Sequence, residues 1–239
     1  MNIALIGYGK MGKMIENVAL RRNHNIVCII DKDNITDFDS SEFKLADVAI
    51  EFTQPESALN NMYKCFERNM PIVCGTTGWN KLLPEVTEEC NRHNGALFYA
   101  SNYSIGVNVM FHINKYMASI MNKLNGYDVQ IQEIHHIHKL DSPSGTAITL
   151  AEGLIENLQA KTEWVNNVET PEKHQLQILS ERRGEVPGYH KVSYKSETDT
   201  LELVHDAHGR FGFASGAVFA AEFIYQKKGV YTMSHMLQL

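Results

Sequence analysis

The sequence has 239 residues, 44% of them hydrophobic and 21% charged, with 22 basic side chains against 28 acidic ones. That balance excludes a disordered chain, which lacks the apolar surface to offset its ordering entropy. The 16 Gly and 6 Pro follow no period, which excludes collagen-like or low-complexity architecture. A net charge of −6 with scattered lysines and arginines makes nucleic acid a poor partner, since binding it needs clustered cations on phosphates.

The length predicts one to two domains. Cys28, Cys65, Cys74 and Cys90 form no C-x-x-C pair and lie mostly in apolar segments, which predicts buried free thiols in a reducing compartment. The N-terminus lacks the basic region of a signal peptide. No apolar stretch approaches the ~18 residues of a membrane span. The expectation is a cytoplasmic protein without a membrane partner.

Strand and helix patterns alternate through the first half. Ile3–Ile6 is a short apolar run, and Met11–Arg22 carries apolar residues at helical spacing. Strands are predicted at Asn25–Ile30, Ala46–Phe52, Pro71–Cys74 and Ala96–Ala100, with helices at Pro55–Arg68 and Leu82–Asn91 between them. This alternation predicts an α/β fold with an N-terminal Rossmann-type parallel sheet. The second half changes character. A helix over Val107–Leu124, a strand over Tyr127–His136 and a helix over Thr146–Leu158 precede three strands, Gln175–Ser180, His190–Lys195 and Leu201–His205. They predict a second, α+β domain on a mixed sheet over 105–212. The first domain takes residues 1–104, joined by 213–239, whose helix Phe213–Gln226 returns to it.

Gly7-Tyr8-Gly9-Lys10-Met11-Gly12 is a G-x-G-x-x-G that follows a strand and opens a helix, the context in which the motif binds a dinucleotide. Gly7 permits the tight turn, Gly9 admits a pyrophosphate to the backbone, and Gly12 lets helix and strand pack closely. The helix N-terminus presents N–H groups to the phosphates. Asp31 ends the next strand roughly 20 residues further on, where an acid meets ribose hydroxyls. Asp31 favours NADH, whereas Lys32 could pair with the 2′-phosphate of NADPH, so both cofactors remain open. Gly75-Thr76-Thr77 and Ala100-Ser101-Asn102-Tyr103 each follow a strand, where ligands of open parallel sheets bind.

Glu133-Ile134-His135-His136-Ile137-His138-Lys139 is the most unusual stretch. A metal site is not expected, because His135 and His136 point to opposite faces of a strand and no H-E-x-x-H or cysteine pair occurs. Acid–base chemistry fits better: a histidine donates a proton near neutral pH, Lys139 supplies a cation, and Ser144-Gly145-Thr146 opens a helix whose N–H groups bind an anion. Together these suit a small carboxylate substrate.

The segments His135-His136-Ile137-His138-Lys139 and Asp141-Ser142-Pro143-Ser144-Gly145-Thr146-Ala147, with Gly75-Thr76-Thr77-Gly78, Ala100-Ser101-Asn102-Tyr103 and Phe213-Ala214-Ser215-Gly216-Ala217, resemble the signatures of the 4-hydroxy-tetrahydrodipicolinate (dihydrodipicolinate) reductase family. The resemblance runs almost end to end. It implies NADPH- or NADH-dependent reduction of a cyclic dicarboxylate in lysine and diaminopimelate biosynthesis. His135 matches the family's proton donor, Lys139 its catalytic or orienting lysine, and His136, Ser144, Gly145 and Thr146 its substrate contacts. Gly7 to Gly12, Asp31, Gly75 to Thr77 and Ala100 to Tyr103 match its nucleotide contacts. The family implies a homotetramer built through the second domain. Two departures stand out: the stretch from Lys32 to Ala46 is short, leaving little room for a full helix, and Gln54 stands where many relatives carry Arg.

Overall fold

The computed structural model describes all residues from 1 to 239. The chain divides into two compact units, Met1–Ile105 with Arg210–Leu239, and Gly106–Gly209.

The first unit is built on β1 (Asn2–Ile6), β2 (Asn25–Ile30), β3 (Val48–Glu51), β4 (Ile72–Cys74), β5 (Ala96–Tyr99) and β11 (Gly229–Tyr231). These form one parallel sheet in the order β11-β5-β4-β3-β1-β2. Successive side chains of a strand point to opposite faces. Ile3 and Leu5 of β1 therefore enter one core, while Ala4 and Ile6 enter the other. Helix α1 (Lys10–Arg21) and helix α7 (Phe211–Ile224) fill the first core through Ile15, Val18, Ala214, Ala217 and Ala221. Helices α3 (Pro55–Glu67) and α4 (Leu83–Arg92) fill the second through Met62, Cys65, Phe66, Val86 and Cys90. Burial on both faces explains why residues 3–6 of β1, residues 48–50 of β3 and all of β4 read as unbroken apolar runs. All four cysteines are buried and free.

The short Lys32–Ala46 connection has no room for a long helix, yet it is ordered by two compact turns. A 3-10 turn over Ile35–Asp39 leads into α2 (Ser41–Lys44), which the Ser40 hydroxyl caps by accepting from the Phe43 N–H at 3.0 Å. The turns press Phe38 and Phe43 into the core with ring centroids 5.2 Å apart. Two strands escape the sequence patterns, β11 and, in the second unit, β7 (Glu163–Asn166). Each is an edge strand of three or four residues, too short for alternation to register. A final short helix, α8 (Met233–Leu237), packs Met233 into the first core.

The second unit carries a mixed sheet in the order β10-β9-β6-β8-β7. Its other strands are β6 (Asp128–His135), β8 (Gln175–Arg182), β9 (Tyr189–Lys195) and β10 (Thr200–Asp206). Strand β6 runs antiparallel to β9 and parallel to β8. Helices α5 (Ile105–Met121) and α6 (Gly145–Ile155) bury Met110, Ala118, Leu150 and Leu154 on one face, against Val129, Ile131, Ile178 and Val192. The same face of β6 continues past this apolar cover as Glu133 and His135.

Two glycines of the first loop are dictated by space. Gly7 sits at φ +90°, and a Cβ on Gly12 would lie 2.3 Å from the Gly7 carbonyl oxygen. Replacing Gly12 with Val forces α1 off β1. The expected result is a loss of about 1–3 kcal/mol in urea denaturation together with a large loss of nucleotide affinity by calorimetric titration.

Candidate active site

The nucleotide elements of the first unit gather at the carboxyl ends of the parallel strands. β1 lies between β2 and β3, and its loop runs into α1. Gly9 is the N-cap of α1, with no side chain bonded to the helix amides and no acidic residue in the first turn. The partial positive charge of the helix end therefore remains uncompensated. A Cβ on Gly9 would meet nothing within 4 Å. A cavity of about 480 Å³ opens here, lined by Gly9, Lys10, Met11, Phe52, Thr53, Pro55, Gly75, Thr76 and Thr77. Asp31 is exposed just past β2, with one carboxylate oxygen accepting from the Lys32 N–H at 2.9 Å and the other from the Tyr8 N–H at 3.4 Å. An uncapped helix end, an open cradle at Gly9 and a fixed acid beyond the neighbouring strand fit a dinucleotide.

The other predicted nucleotide residues divide by orientation. Lys10, Lys32, Thr77 and Ser101 are exposed, and Met11 and Ala100 are half-buried. Tyr8 donates a short bond from its hydroxyl to Glu16. Asn102 accepts from the Ser104 N–H at 2.9 Å. Thr76 and Tyr103 are turned inward: the Thr76 hydroxyl donates to Glu51, and the Tyr103 hydroxyl donates to the Cys74 carbonyl at 2.7 Å. Their side chains brace the loops from below. Phe52, Thr53 and Pro55 line the cavity without having been singled out from the sequence. Their signal was positional, from the end of one predicted strand of the parallel sheet through the turn that leads into the next predicted helix.

In the second unit the histidine segment straddles the end of β6. His135 is its last residue and is buried, whereas His136 begins the following loop and is half-buried. Beneath them lies Glu133, with no solvent exposure. Its Oε1 accepts from the Ser144 N–H at 3.1 Å and from the Arg182 guanidinium at 3.2 Å. Its Oε2 lies 3.1 Å from His135 Nδ1, at ion-pair distance but without the alignment of a hydrogen bond, and 3.9 Å from His190 Nε2. Burial pushes the Glu133 carboxyl up, but its contacts with His135, Ser144 and Ser180 outweigh burial and hold it well below the usual carboxylate range. The reverse holds for His190, packed edge-on against His135 at 5.0 Å. Burial, then the neighbouring His135, lowers it to about 3, so it is a neutral imidazole.

Ser144 caps α6, its hydroxyl accepting from the Ala147 N–H at 3.2 Å and lying 3.2 Å from His190 Nε2. That hydroxyl is committed inside the protein, and Gly145 and Thr146 form the first turn. No acidic residue sits in this turn, and the space around Gly145 is open. Lys139 pairs with Asp141 at 2.8 Å, and Arg182 ties the same loop down through the carbonyls of Lys139 and Asp141. His138 pairs with Glu185 at 3.1 Å on the surface, away from this network. Glu133 thus connects the histidine, the lysine loop and the helix N-terminus. Sequence alone assigns no role to Glu133, His190 or Arg182, although Glu133 begins the histidine segment that stands out in it.

Glu133, His135 and His190 bring three donor atoms within 4.8 Å of one another. Arg182 is already bonded to Glu133, so a guanidinium balances the acid at the centre of this group.

The comparisons with known proteins agree across the whole chain. Residues 1–103 match the family model described as dihydrodipicolinate reductase, N-terminus, and residues 106–237 match dihydrodipicolinate reductase, C-terminus. The 4-hydroxy-tetrahydrodipicolinate reductase of Christiangramia forsetii is 44% identical over 99% of this chain and 98% of its own. That of Alkaliphilus oremlandii is 31% identical over 100% and 99%. Among solved structures, dipicolinate-bound dihydrodipicolinate reductase from Paenisporosarcina sp. TG-14 has the same fold, with a TM-score of 0.80 over 97% of both chains at 24% identity. The chain belongs to the dihydrodipicolinate reductase family, oxidoreductases of lysine and diaminopimelate biosynthesis that use NADH or NADPH.

Proposed function

We propose that the second unit holds the cyclic dicarboxylate derived from 4-hydroxy-tetrahydrodipicolinate, that departure of the 4-hydroxyl with a proton of the adjacent carbon as water leaves a conjugated imine, and that this imine accepts hydride at C4 while His135 protonates the adjacent carbon to give tetrahydrodipicolinate. The observation that carries this reading is the buried Glu133, which joins His135, the Lys139 loop and the N-terminus of α6 in one network. The substrate is a cyclic dicarboxylate, and the Paenisporosarcina relative was solved with the dicarboxylate dipicolinate. One carboxylate is met by the amides that open α6 at Gly145 and Thr146 and by Lys139, with His136 beside them. Asp141 is the resting partner of Lys139 and gives it up to the substrate. Glu133 faces Nδ1 of His135 and leaves Nε2 as the nitrogen that carries the mobile proton. Space beside that nitrogen is kept by Gly188, where a Cβ would stand 3.3 Å from Nε2.

When bound, the reduced nicotinamide cofactor supplies the hydride. The residues that hold it are the uncapped turn at Gly7 to Gly12, Asp31 and Lys32 at the adenosine ribose, and the loops Gly75 to Thr77 and Ala100 to Tyr103. Asp31 accepts ribose hydroxyls and disfavours a 2′-phosphate, and Lys32 offsets that repulsion, so both NADH and NADPH are used. We further infer a cytoplasmic homotetramer: four buried thiols suit a reducing compartment, and Leu201 and Val204 are exposed on the edge strand β10 of the second sheet. Light scattering on the purified protein should return four times the chain mass, and a monomeric mass would refute the assembly.

Replacing His135 with Gln removes the proton donor and keeps a polar group of similar size. The turnover number should fall about 10²-fold or more, read as loss of reduced-nicotinamide absorbance, with the calorimetric affinity for NADPH unchanged. Wild-type turnover in this variant would remove His135 from its role. His190 gives a separate pH signature. Folded His190 takes a proton only near pH 3, whereas the unfolded residue does so near 6.5. Protons are therefore bound more readily by the unfolded state, and stability falls as the pH drops from 6.5 towards 3. Urea midpoints across this range should decline less steeply in His190→Asn, while the loss from Glu133, whose lowered value places it at more acid pH, should remain.

A further inference from the structure

Glu51 ends β3 and has no solvent exposure, yet nothing in the proposed chemistry calls on it. Its carboxylate is surrounded by donors from two loops. The Thr53 hydroxyl donates a short bond to Oε1, the Thr53 N–H donates to it at 3.1 Å, and the Thr76 hydroxyl at 3.1 Å. The Cys74 thiol donates to Oε2 at 3.1 Å. The Thr53 amide can only donate and the two hydroxyls and the thiol can each donate, so both carboxylate oxygens have donors within reach. Burial, then the Glu51 charge, pushes the Cys74 thiol well above its usual range, which keeps it a donor. The Thr76 hydroxyl also accepts from the Thr53 N–H at 2.8 Å, so the loops after β3 and β4 are locked to each other as well as to the acid. The loop after β5 joins through Tyr103, whose hydroxyl donates to the Cys74 carbonyl.

Two features set this apart from ordinary bracing. All of these partners are neutral dipoles, so the negative charge is solvated by the protein but not neutralised by a cation. The side chains that solvate it, Thr53 and Thr76, together with the intervening Phe52, also line the cavity at the carboxyl ends of the strands. A buried charge balanced only by dipoles interacts strongly with any charge that enters the cavity, because little water screens it.

We propose that Glu51 is the positioning and charge-balancing residue of the nucleotide site: it fixes the Thr53 and Thr76 loops, and its charge raises affinity for the oxidised cofactor relative to the reduced one. The proposal rests on the nucleotide reading of the first unit. Oxidised nicotinamide is a cationic ring and reduced nicotinamide a neutral one, so a fixed carboxylate beneath the loops distinguishes them electrostatically, whereas loop geometry alone affects both alike. The same field favours positive charge growing on the ring as hydride is lost, which is the direction of the reduction.

The test is calorimetric titration of the full-length protein with NADP⁺, NADPH, NAD⁺ and NADH. Replacing Glu51 with Gln keeps an acceptor and removes the charge. The expected result is an affinity loss for the oxidised forms greater than that for the reduced forms by on the order of fivefold. Thr76→Val removes one bond and leaves the charge, and should weaken oxidised and reduced forms by the same factor. Glu51→Met, an uncharged residue of similar volume, serves if circular dichroism shows the Gln variant unfolded. Equal weakening of both redox forms in the charge-free variant, or no weakening, overturns the charge-balancing role. If the wild-type protein binds none of the four nucleotides, the nucleotide reading itself fails and the proposal falls with it.

Discussion

A carboxylate taken out of water must be surrounded by donors, and that requirement shapes both halves of this molecule. Leaving such a group uncompensated costs several kcal/mol. Glu51 and Glu133 both have zero exposure, and both lie where a strand emerges from its apolar cover. Each gathers the segments around it. Thr53, Cys74 and Thr76 converge on Glu51. Ser144 and Arg182 bond Glu133, with His135 beside them. The functional loops are ordered because they supply the partners these acids need.

The two acids are compensated differently, and the difference matches the chemistry around them. Glu133 has a guanidinium bonded to it, so its charge is largely balanced within the protein. Glu51 has only neutral dipoles among its bonded partners. The helix termini complete the pattern. The N-terminus of α1 at Gly9 and that of α6 at Gly145 both lack an acidic residue in the first turn, which leaves each suited to an anion. In the proposed function these anions are a cofactor phosphate and a substrate carboxylate.

Side chains that a motif points to are not always the ones that face a ligand. Ser144, Thr76 and Tyr103 lie within motif segments, yet their hydroxyls bond His190 or Ala147, Glu51 and Cys74 respectively. They shape the site from beneath. His138 stands three residues from a buried catalytic candidate and spends its ring on a surface pair with Glu185. Proximity in sequence assigns a neighbourhood, and only direction in space assigns a role.

The parallel sheet, its glycine turn and the acid at Asp31 were legible in the residues themselves. Doubly buried strands write unbroken apolar runs, and a turn that admits no Cβ at Gly12 can be written only with glycine. The histidine and lysine segment was legible for the same reason, since no local structural demand accounts for three imidazoles and an ammonium in five positions. The edge strands β7 and β11 were not, because three or four residues carry too little pattern. Nor were Glu51, Glu133, Arg182 and His190 legible as partners. A glutamate in an apolar strand looks like any polar residue on an exposed face. Its meaning depends on donors brought from 20 to 50 positions away, such as Thr76 and Arg182, and those meetings are decided by strand order and register, which pattern along the chain does not encode.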